Sequence, residues 1–362
     1  MRRRTFLLRR RIFCFVPPET GLTFRSVKRW FDRTFETGLP ASEVPRLLDR
    51  LRAAPDRLAS LLDGMPRAIR IYKPDGRWSA QEQAGHLLDL EDLWASRLDD
   101  FEQGRQVLHP ADLQNRRTHD ARHNDRDARD LIAAFRTART EIVDRLAGWS
   151  PAELSRVSRH PRLEQSMSVV DLCFFVAEHD DHHLATAAEI AAAAGAMPAC
   201  AIDLANAVGQ ALPGLRALGD DVTGRRPAAG KWSPREIIGH LIDSASNNHQ
   251  RFVRASFQDD LVFAGYDQDQ WVALQHYQEA RWEDLLTLWA SFNRHLARVM
   301  AATPTDVRRR ERRSHNFDRI AMRPVAAGSP ATLEYFMDDY VLHLHHHLRQ
   351  IREMYTGPTR VP

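Results

Sequence analysis

The chain has 362 residues, 43% of them hydrophobic, a length and composition that suit two globular domains better than one. No apolar run is long enough to span a membrane, and the three cysteines form no C-x-x-C pair, so neither a membrane span nor a disulfide framework is expected. The first 33 residues carry a net charge of +8, whereas the whole chain carries +3, so the remaining residues carry −5. This acidic balance of the main part of the chain argues against nucleic-acid binding. A cytoplasmic protein is expected.

The N-terminal extension, residues 1–41, is rich in arginine. Its Arg3–Leu8 stretch, RRTFLL, superficially matches a twin-arginine export signal, which requires an uninterrupted apolar stretch next. Here Arg9–Arg11 interrupts at once, and Pro17-Pro18 follows soon after. We therefore predict an extension that is disordered at its start, and no export signal.

Apolar residues at three-and-four spacing predict four helices in the first half of the chain. The first begins near residue 42 and contains Pro55, a candidate kink. The fourth is capped by Ser166 or Ser168 and ends at Gly195. Between them we expect helices at about 79–102 and 127–147, and Met197-Pro198 marks a domain boundary.

The second half repeats this plan. We expect helices at about 201–219, 233–257 and 282–302, and a fourth from Thr332, with Pro213-Gly214 as a candidate break in the first. An aromatic and polar segment at 265–271 is a candidate pocket wall. Because strand signals are nearly absent, the predicted fold is all-α: two tandem up-down four-helix bundles, residues 42–197 and 198–362.

Two segments of the second helices align without gaps at an offset of 154 residues. Residues 77–89 and 231–243 share Trp, Ser, Glu, Gly, His, Leu and Asp in register, which indicates an internal repeat. In each, Ser followed three residues later by Glu predicts a helix start with a capping box. His86 and His240 then fall two turns into the helix.

The fourth helix of each half carries a His-x-x-x-His pair. Residues four apart lie on one helical face with their Cβ atoms about 5–6 Å apart, a spacing at which two imidazoles can bind one metal ion. Each pair also lies on the apolar line of its helix, where an unsatisfied polar group is costly. Satisfied core histidines are the alternative explanation. The candidate metal ligands are His86, His179 and His183 in the first half and His240, His343 and His347 in the second.

Other polar residues near these histidines have two interpretations each. Asp89 and Asp243 follow the second-helix histidine by three residues and either orient its imidazole or face solvent. His182 and His346 precede the last candidate ligand and point to a different helical face. His345 has no counterpart in the first half and is expected to be exposed.

Each half resembles the DinB/YfiT-like superfamily of metal-binding four-helix bundles, through Gly-His-Leu at 85–87 and 239–241 and through His-x-x-x-His-Leu at 179–184 and 343–348. The resemblance covers about residues 42–195 and 200–356. It implies a three-histidine site for a divalent ion such as Zn²⁺ or Ni²⁺, about one per bundle, and a pair of packed bundles. Here both bundles lie in one chain, so we expect a monomer with an internal pseudo-dimer.

The same resemblance implies the candidate functions. Family members include transferases and an isomerase that use a low-molecular-weight thiol, and proteins described as hydrolases. The first hypothesis is therefore a metal-dependent S-transferase or isomerase that acts on a small molecule with such a thiol. The second is a hydrolase that uses a metal-bound water, and the third is a non-catalytic metal-binding or stress-response module. Both histidine sets are complete, so the sequence gives no reason to regard either as vestigial.

Overall fold

A computed structural model of the chain describes residues 29–74 and 77–356. The chain divides into two compact units, residues 1–34 and 35–362. The described part of the first unit contains a single 3₁₀ turn, Trp30–Asp32. The predicted disorder at the start of the arginine-rich extension concerns residues outside the described part. All helices discussed below belong to the second unit.

The first half folds into a helical bundle at the predicted positions. The helix in which Pro55 was a candidate kink runs through that residue without interruption. The last helix is capped by Ser168, whose hydroxyl accepts the Asp171 N–H, and it ends at Gly195 as predicted. We label the main helices α1 (Val44–Asp63), α2 (Ala80–Asp89), α3 (Glu91–Glu102), α4 (Ala128–Ala147) and α5 (Val169–Gly195).

The second predicted helix of the first half is interrupted. Leu90 separates α2 from α3, and the next residue, Glu91, is buried and paired with Arg139 of α4. Arg139 also pairs with the buried Asp180 of α5, so one guanidinium is shared by two carboxylates inside the bundle.

The second half builds a similar bundle, with a second helix that is continuous. Ser233 caps it with the predicted capping box, as Ser79 caps α2. The first helix of this half runs through Pro213, so the candidate break there is absent. The main helices are α6 (Ala199–Arg216), α7 (Pro234–Ala255), α8 (Trp282–Ala302) and α9 (Leu333–Thr356).

Short elements connect the main helices. The sequence did not predict the small antiparallel hairpin of β1 (Val157–Arg159) and β2 (Ser166–Ser168), because strands of three residues are too short to show a period-two pattern. The remaining short helices and 3₁₀ turns are Ala41–Glu43, Arg67–Arg70, Arg116–Asp120, His123–Asp125, Pro151–Leu154, Asp220–Thr223, Gln268–Leu274, Tyr277–Glu279, Thr305–Arg309 and Phe317–Ile320.

The two bundles contact each other within the second unit. The short helix Arg67–Arg70 of the first half packs against α6 of the second, and Asn206 donates a hydrogen bond of 2.8 Å to the Ala68 carbonyl. Across the described ranges, no helix combines the length and apolarity that a bilayer crossing requires. The observed architecture is therefore two tandem helical bundles; the internal pseudo-dimer symmetry stays a prediction.

Candidate metal centres

The six predicted histidines converge into two groups of three. In each group, one imidazole comes from the second-helix segment, α2 or α7, and two come from the last helix of the bundle, α5 or α9. The candidate ligand atoms of each group lie within 4.8 Å of one another. The first group is His86, His179 and His183, and the second is His240, His343 and His347.

The ring nitrogens of these groups face each other. The Nε2 atoms of His179 and His183 lie 3.2 Å apart, and the Nε2 atom of His343 lies 3.2 Å from that of His240 and 3.1 Å from that of His347. In a tetrahedral zinc site with Zn–N bonds of about 2.0–2.1 Å, two ligand nitrogens are roughly 3.3–3.4 Å apart. The observed separations therefore fit a shared ion with little movement of the rings.

Two glutamines fix the tautomer of the last histidine in each group. Gln83 Oε1 lies 2.5 Å from Nδ1 of His183, and Gln350 Oε1 lies 2.8 Å from Nδ1 of His347. An amide oxygen can only accept, so each Nδ1 carries the proton and donates. The Nε2 lone pair is then directed towards the other two histidines, as a metal ligand requires.

Burial keeps the imidazoles neutral. Desolvation lowers the pKa of His86 to about 4, of His240 to about 3 and of His343 to about 2. It also holds the pKa of His179 and His183 well below the usual value. Neutral imidazole is the form that binds metal, so protons compete only weakly for these nitrogens near pH 7.

Close packing of a glycine beside the first histidine supports each centre. A Cβ atom on Gly85 would lie 2.2 Å from the His123 ring, and one on Gly239 would lie 2.1 Å from the Tyr277 ring. His123 and Tyr277 are themselves separated by the repeat offset of 154 residues. The internal repeat therefore extends to a residue pair that the aligned segments did not include.

The two aspartates that follow the helix histidine are buried rather than solvated. Asp89 Oδ2 lies 2.8 Å from His123 Nε2, and Asp243 Oδ1 accepts a hydrogen bond of 2.7 Å from the Tyr277 hydroxyl. Burial by itself favours a raised pKa for both carboxyls. For Asp89, the contacts with His123, Thr118 and Arg117 outweigh burial, so its pKa is lowered. For Asp243 burial prevails, and the pKa is raised.

In the first centre a hydroxyl connects this aspartate to the candidate ligand His86. Thr118 Oγ1 donates to Asp89 at 2.8 Å and lies 3.1 Å from Nδ1 of His86. The residue at the repeat offset in the second half is Val272, which has no hydroxyl. Accordingly, His240 Nδ1 and Asp243 Oδ2 are buried and accept or donate no hydrogen bond within the described residues.

The centres also differ in their access to solvent. All three histidines of the first group are buried, and the buried Trp94 packs edge-on against His179 at a centroid distance of 5.9 Å. In the second group His343 and His347 are partly exposed. The residue at the repeat offset from Trp94 is Asn248, which leaves room for a cavity.

Two cavities adjoin the second group. One, of about 330 Å³, is lined by His240 and His343, and the other, of about 560 Å³, is lined by His347 and Trp232. Gln268 lines both cavities. Together with Gly265 and Tyr266 it lines the cavity beside His240, so the 265–271 segment forms part of a pocket wall, as predicted. A smaller cavity of about 200 Å³ touches His86 of the first group.

The donor sets fit a divalent transition metal. Three neutral imidazoles are the ligands that Zn²⁺ and Ni²⁺ accept, and three protein ligands leave a coordination position open. His345 is exposed as predicted, and the rings of His182 and His346 lie edge-on beside the last candidate ligand and belong to neither group. Sequence reasoning missed Thr118, Gln83 and Gln350, for which the pattern gives no signal, whereas the repeat offset could have identified His123 and Tyr277.

Comparison with known proteins adds three findings. The family profile described as DinB superfamily matches residues 50–187 and 207–351. A solved structure, described as "YfiT from Bacillus subtilis is a probable metal-dependent hydrolase with an unusual four-helix bundle topology", is similar with 15% identity and a TM-score of 0.41. The match covers 45% of this chain and 94% of that one. Curated protein sequences give no match.

Proposed function

The chain belongs to the DinB superfamily, in two tandem copies, and from this premise we propose that it is a divalent-metal-dependent enzyme that reacts a small thiol with a second small molecule. The proposed ligands are His86, His179 and His183 in one centre and His240, His343 and His347 in the other. The reaction, an S-transfer or a thiol-dependent isomerisation, is assigned to the second centre.

The observation that carries this proposal is the pair of cavities at the second histidine group. They lie against different ligands, His240 and His343 on one side and His347 on the other. Volumes of about 330 and 560 Å³ are in the range that small-molecule sites occupy. Two cavities at one centre suit a reaction between two substrates. Hydrolysis needs only one substrate pocket and access for water.

The three neutral imidazoles of the centre would hold a divalent ion, and a thiol or a water bound to that ion would have a lowered pKa. The chain's own part is to hold the imidazoles neutral, to fix their tautomers through groups such as Gln350, and to position two substrates beside them. Two side chains of the cavity beside His240 that could act as a base, Asp339 and Tyr266, are poorly suited to that role. Asp339 accepts the backbone N–H groups of Met322 and Arg323, and burial raises the pKa of Tyr266 to about 12. A reaction in which a thiol is activated without a separate side-chain base fits these surroundings.

An activity screen on metal-loaded protein tests the proposal. We expect an electrophile to be consumed only when a low-molecular-weight thiol is supplied, and His343→Ala to remove that activity. The matched control is His345→Ala on the same helix, which removes an exposed imidazole and leaves the activity unchanged. Turnover without a thiol would favour the hydrolase instead. Metal binding without turnover of either kind would favour a non-catalytic module.

A further inference from the structure

One wall of the cavity beside His240 is a single row of side chains on α7. His240, Ser244, Asn248 and Arg251 follow each other at spacings of four, four and three residues, so they lie on one face of the helix. Eleven residues of helix rise by roughly 16 Å. The cavity therefore extends from the proposed ion towards a guanidinium group some distance along the helix.

Arg251 is a buried cation without a carboxylate partner. Only 7% of its surface is exposed, and within the described residues no carboxylate forms an ion pair with it. Its Nη2 atom donates to the Ala264 carbonyl at 2.7 Å, and its Nη1 atom lies 3.4 Å from Oδ1 of Asn248. A buried charge that lacks a counter-ion is costly, so an anion bound in the cavity would offset that cost.

The corresponding arginine of the first bundle is also buried and hydrogen-bonded, and within the described residues it has no ion-paired carboxylate either. Arg97, at the repeat offset from Arg251, donates to the His109 carbonyl at 3.0 Å and contacts His160 Nε2 at 3.2 Å. Both arginines thus bind a carbonyl of the following loop, which is a structural role. Arg251 in addition lines the cavity beside His240, where Ser244 and Asn248 stand in place of the larger Leu90 and Trp94 of the first bundle.

The other charged groups of this cavity do not neutralise Arg251. Asp339 is occupied by two backbone N–H groups and an ion pair with Arg323. Arg319 adds a second, exposed guanidinium to the lining. Among the described lining residues the fixed charges are therefore two cations and one engaged carboxylate.

We propose that this cavity binds a small, elongated molecule whose carboxylate pairs with Arg251 while its opposite end reaches the histidine group. This inference rests on the proposed function, because it specifies the substrate class of the same site. The planar guanidinium presents donors in a fork that matches a carboxylate. Ser244 and Asn248 supply polar contacts between the two ends.

Calorimetric titration of the metal-loaded full-length protein with glutarate and with its uncharged diamide, glutaramide, tests this assignment. We expect glutarate to bind at least about ten-fold more tightly, because a charge-assisted pair is stronger than a neutral hydrogen bond. Arg251→Gln should reduce that preference to the part that a carboxylate gains at the histidine group, without changing the metal content. Arg254→Gln is the matched control, since it removes a cation from the exposed face of the same helix.

Equal binding of the two probes to the unmodified protein would overturn the inference, whatever the variants do. An undiminished preference in Arg251→Gln would also overturn it. If Arg251→Gln does not fold, Arg251→Lys keeps the charge without the fork, and a glutarate affinity equal to that of the unmodified protein would count against the assignment. The binding readout needs no turnover, so a failed thiol screen with an intact Arg251-dependent preference refutes the proposed reaction alone.

Discussion

At the scale of single residues, Gly85 and Gly239 occupy helix positions that leave no room for a side chain. Each lies directly before the first histidine of a group, and an aromatic ring, His123 or Tyr277, packs against its Cα. That ring in turn contacts the aspartate one turn further along the helix, Asp89 or Asp243. The glycine therefore allows the connecting segment to approach the helix closely beside the candidate ligand.

Gly239→Ala should be strongly destabilising. The new Cβ would lie 2.1 Å from the Tyr277 ring, so the ring or the helix must move, and overpacking of this kind costs about 1–3 kcal/mol. Urea unfolding measures the loss. Gly209→Ala in α6 is the control, because nothing lies within 4 Å of its Cβ and a helical alanine gains about 0.5–1 kcal/mol over glycine. Equal effects of the two substitutions would contradict the packing argument.

Thr118 and Val272 should set different metal affinities for the two centres. Thr118→Val removes the hydroxyl between His86 and Asp89, so we expect the first centre to bind zinc roughly ten-fold more weakly. Val272→Thr should strengthen the second centre by supplying the missing partner of His240 and Asp243. Competition with a chromophoric chelator measures both. Unchanged affinity in both variants would show that the hydroxyl does not act through the histidine.

At the scale of elements, the helices of the two bundles are held together differently. Arg139 of α4 joins Glu91 of α3 to Asp180 of α5, and all three side chains are buried. The residues 154 positions after Glu91 and Arg139 are Ala245 and Asn293, and the residue that follows His343 as Asp180 follows His179 is Leu344; all three are uncharged. The second bundle joins α8 to α9 through a neutral hydrogen bond of 2.5 Å from Tyr340 to Asn293.

Arg139→Met should destabilise the first bundle by about 3–5 kcal/mol, because it leaves two buried carboxylates without their cation. Arg136→Met on the same helix is the control. Arg136 forms an exposed pair with Asp56, and such pairs contribute at most about 1 kcal/mol. Chemical denaturation followed by circular dichroism distinguishes the two. A loss at Arg139 as small as that at Arg136 would contradict the network's role.

At the scale of the whole molecule, two similar bundles carry centres of different accessibility. The first group is buried and touches one cavity of about 200 Å³, whereas the second has two partly exposed histidines and faces two larger cavities. Both histidine sets are complete, so the sequence gave no reason to distinguish the centres. Their burial and their cavities differ, and this difference supports the proposal that the second centre carries the reaction.

Purified full-length protein should contain close to two metal ions per chain. Because each group supplies its own three imidazoles, His343→Ala should reduce the number to about one. Elemental analysis by mass spectrometry provides the count. A protein prepared without chelators that contains no ions would contradict the premise of both functional proposals.

The protein should be a monomer in solution. The two bundles already contact each other through Asn206 and the Arg67–Arg70 helix, so the pairing expected between separate family members is available within the chain. Light scattering coupled to size-exclusion chromatography measures the mass, with 41.5 kDa expected. A stable species of twice that mass would refute the prediction.

The sequence by itself determined the helical fold, the tandem repeat and the two groups of three histidines, because helical periodicity, capping boxes and the 154-residue offset are local or internally repeated patterns. The role of those histidines as ligands stays a prediction. Only the tertiary structure decided which residues support each centre, since Thr118, Gln83 and Arg139 act through contacts with distant segments. It also decided that Trp94 packs against one centre while Asn248 lines a cavity at the other, because access depends on how side chains from several helices fill one volume.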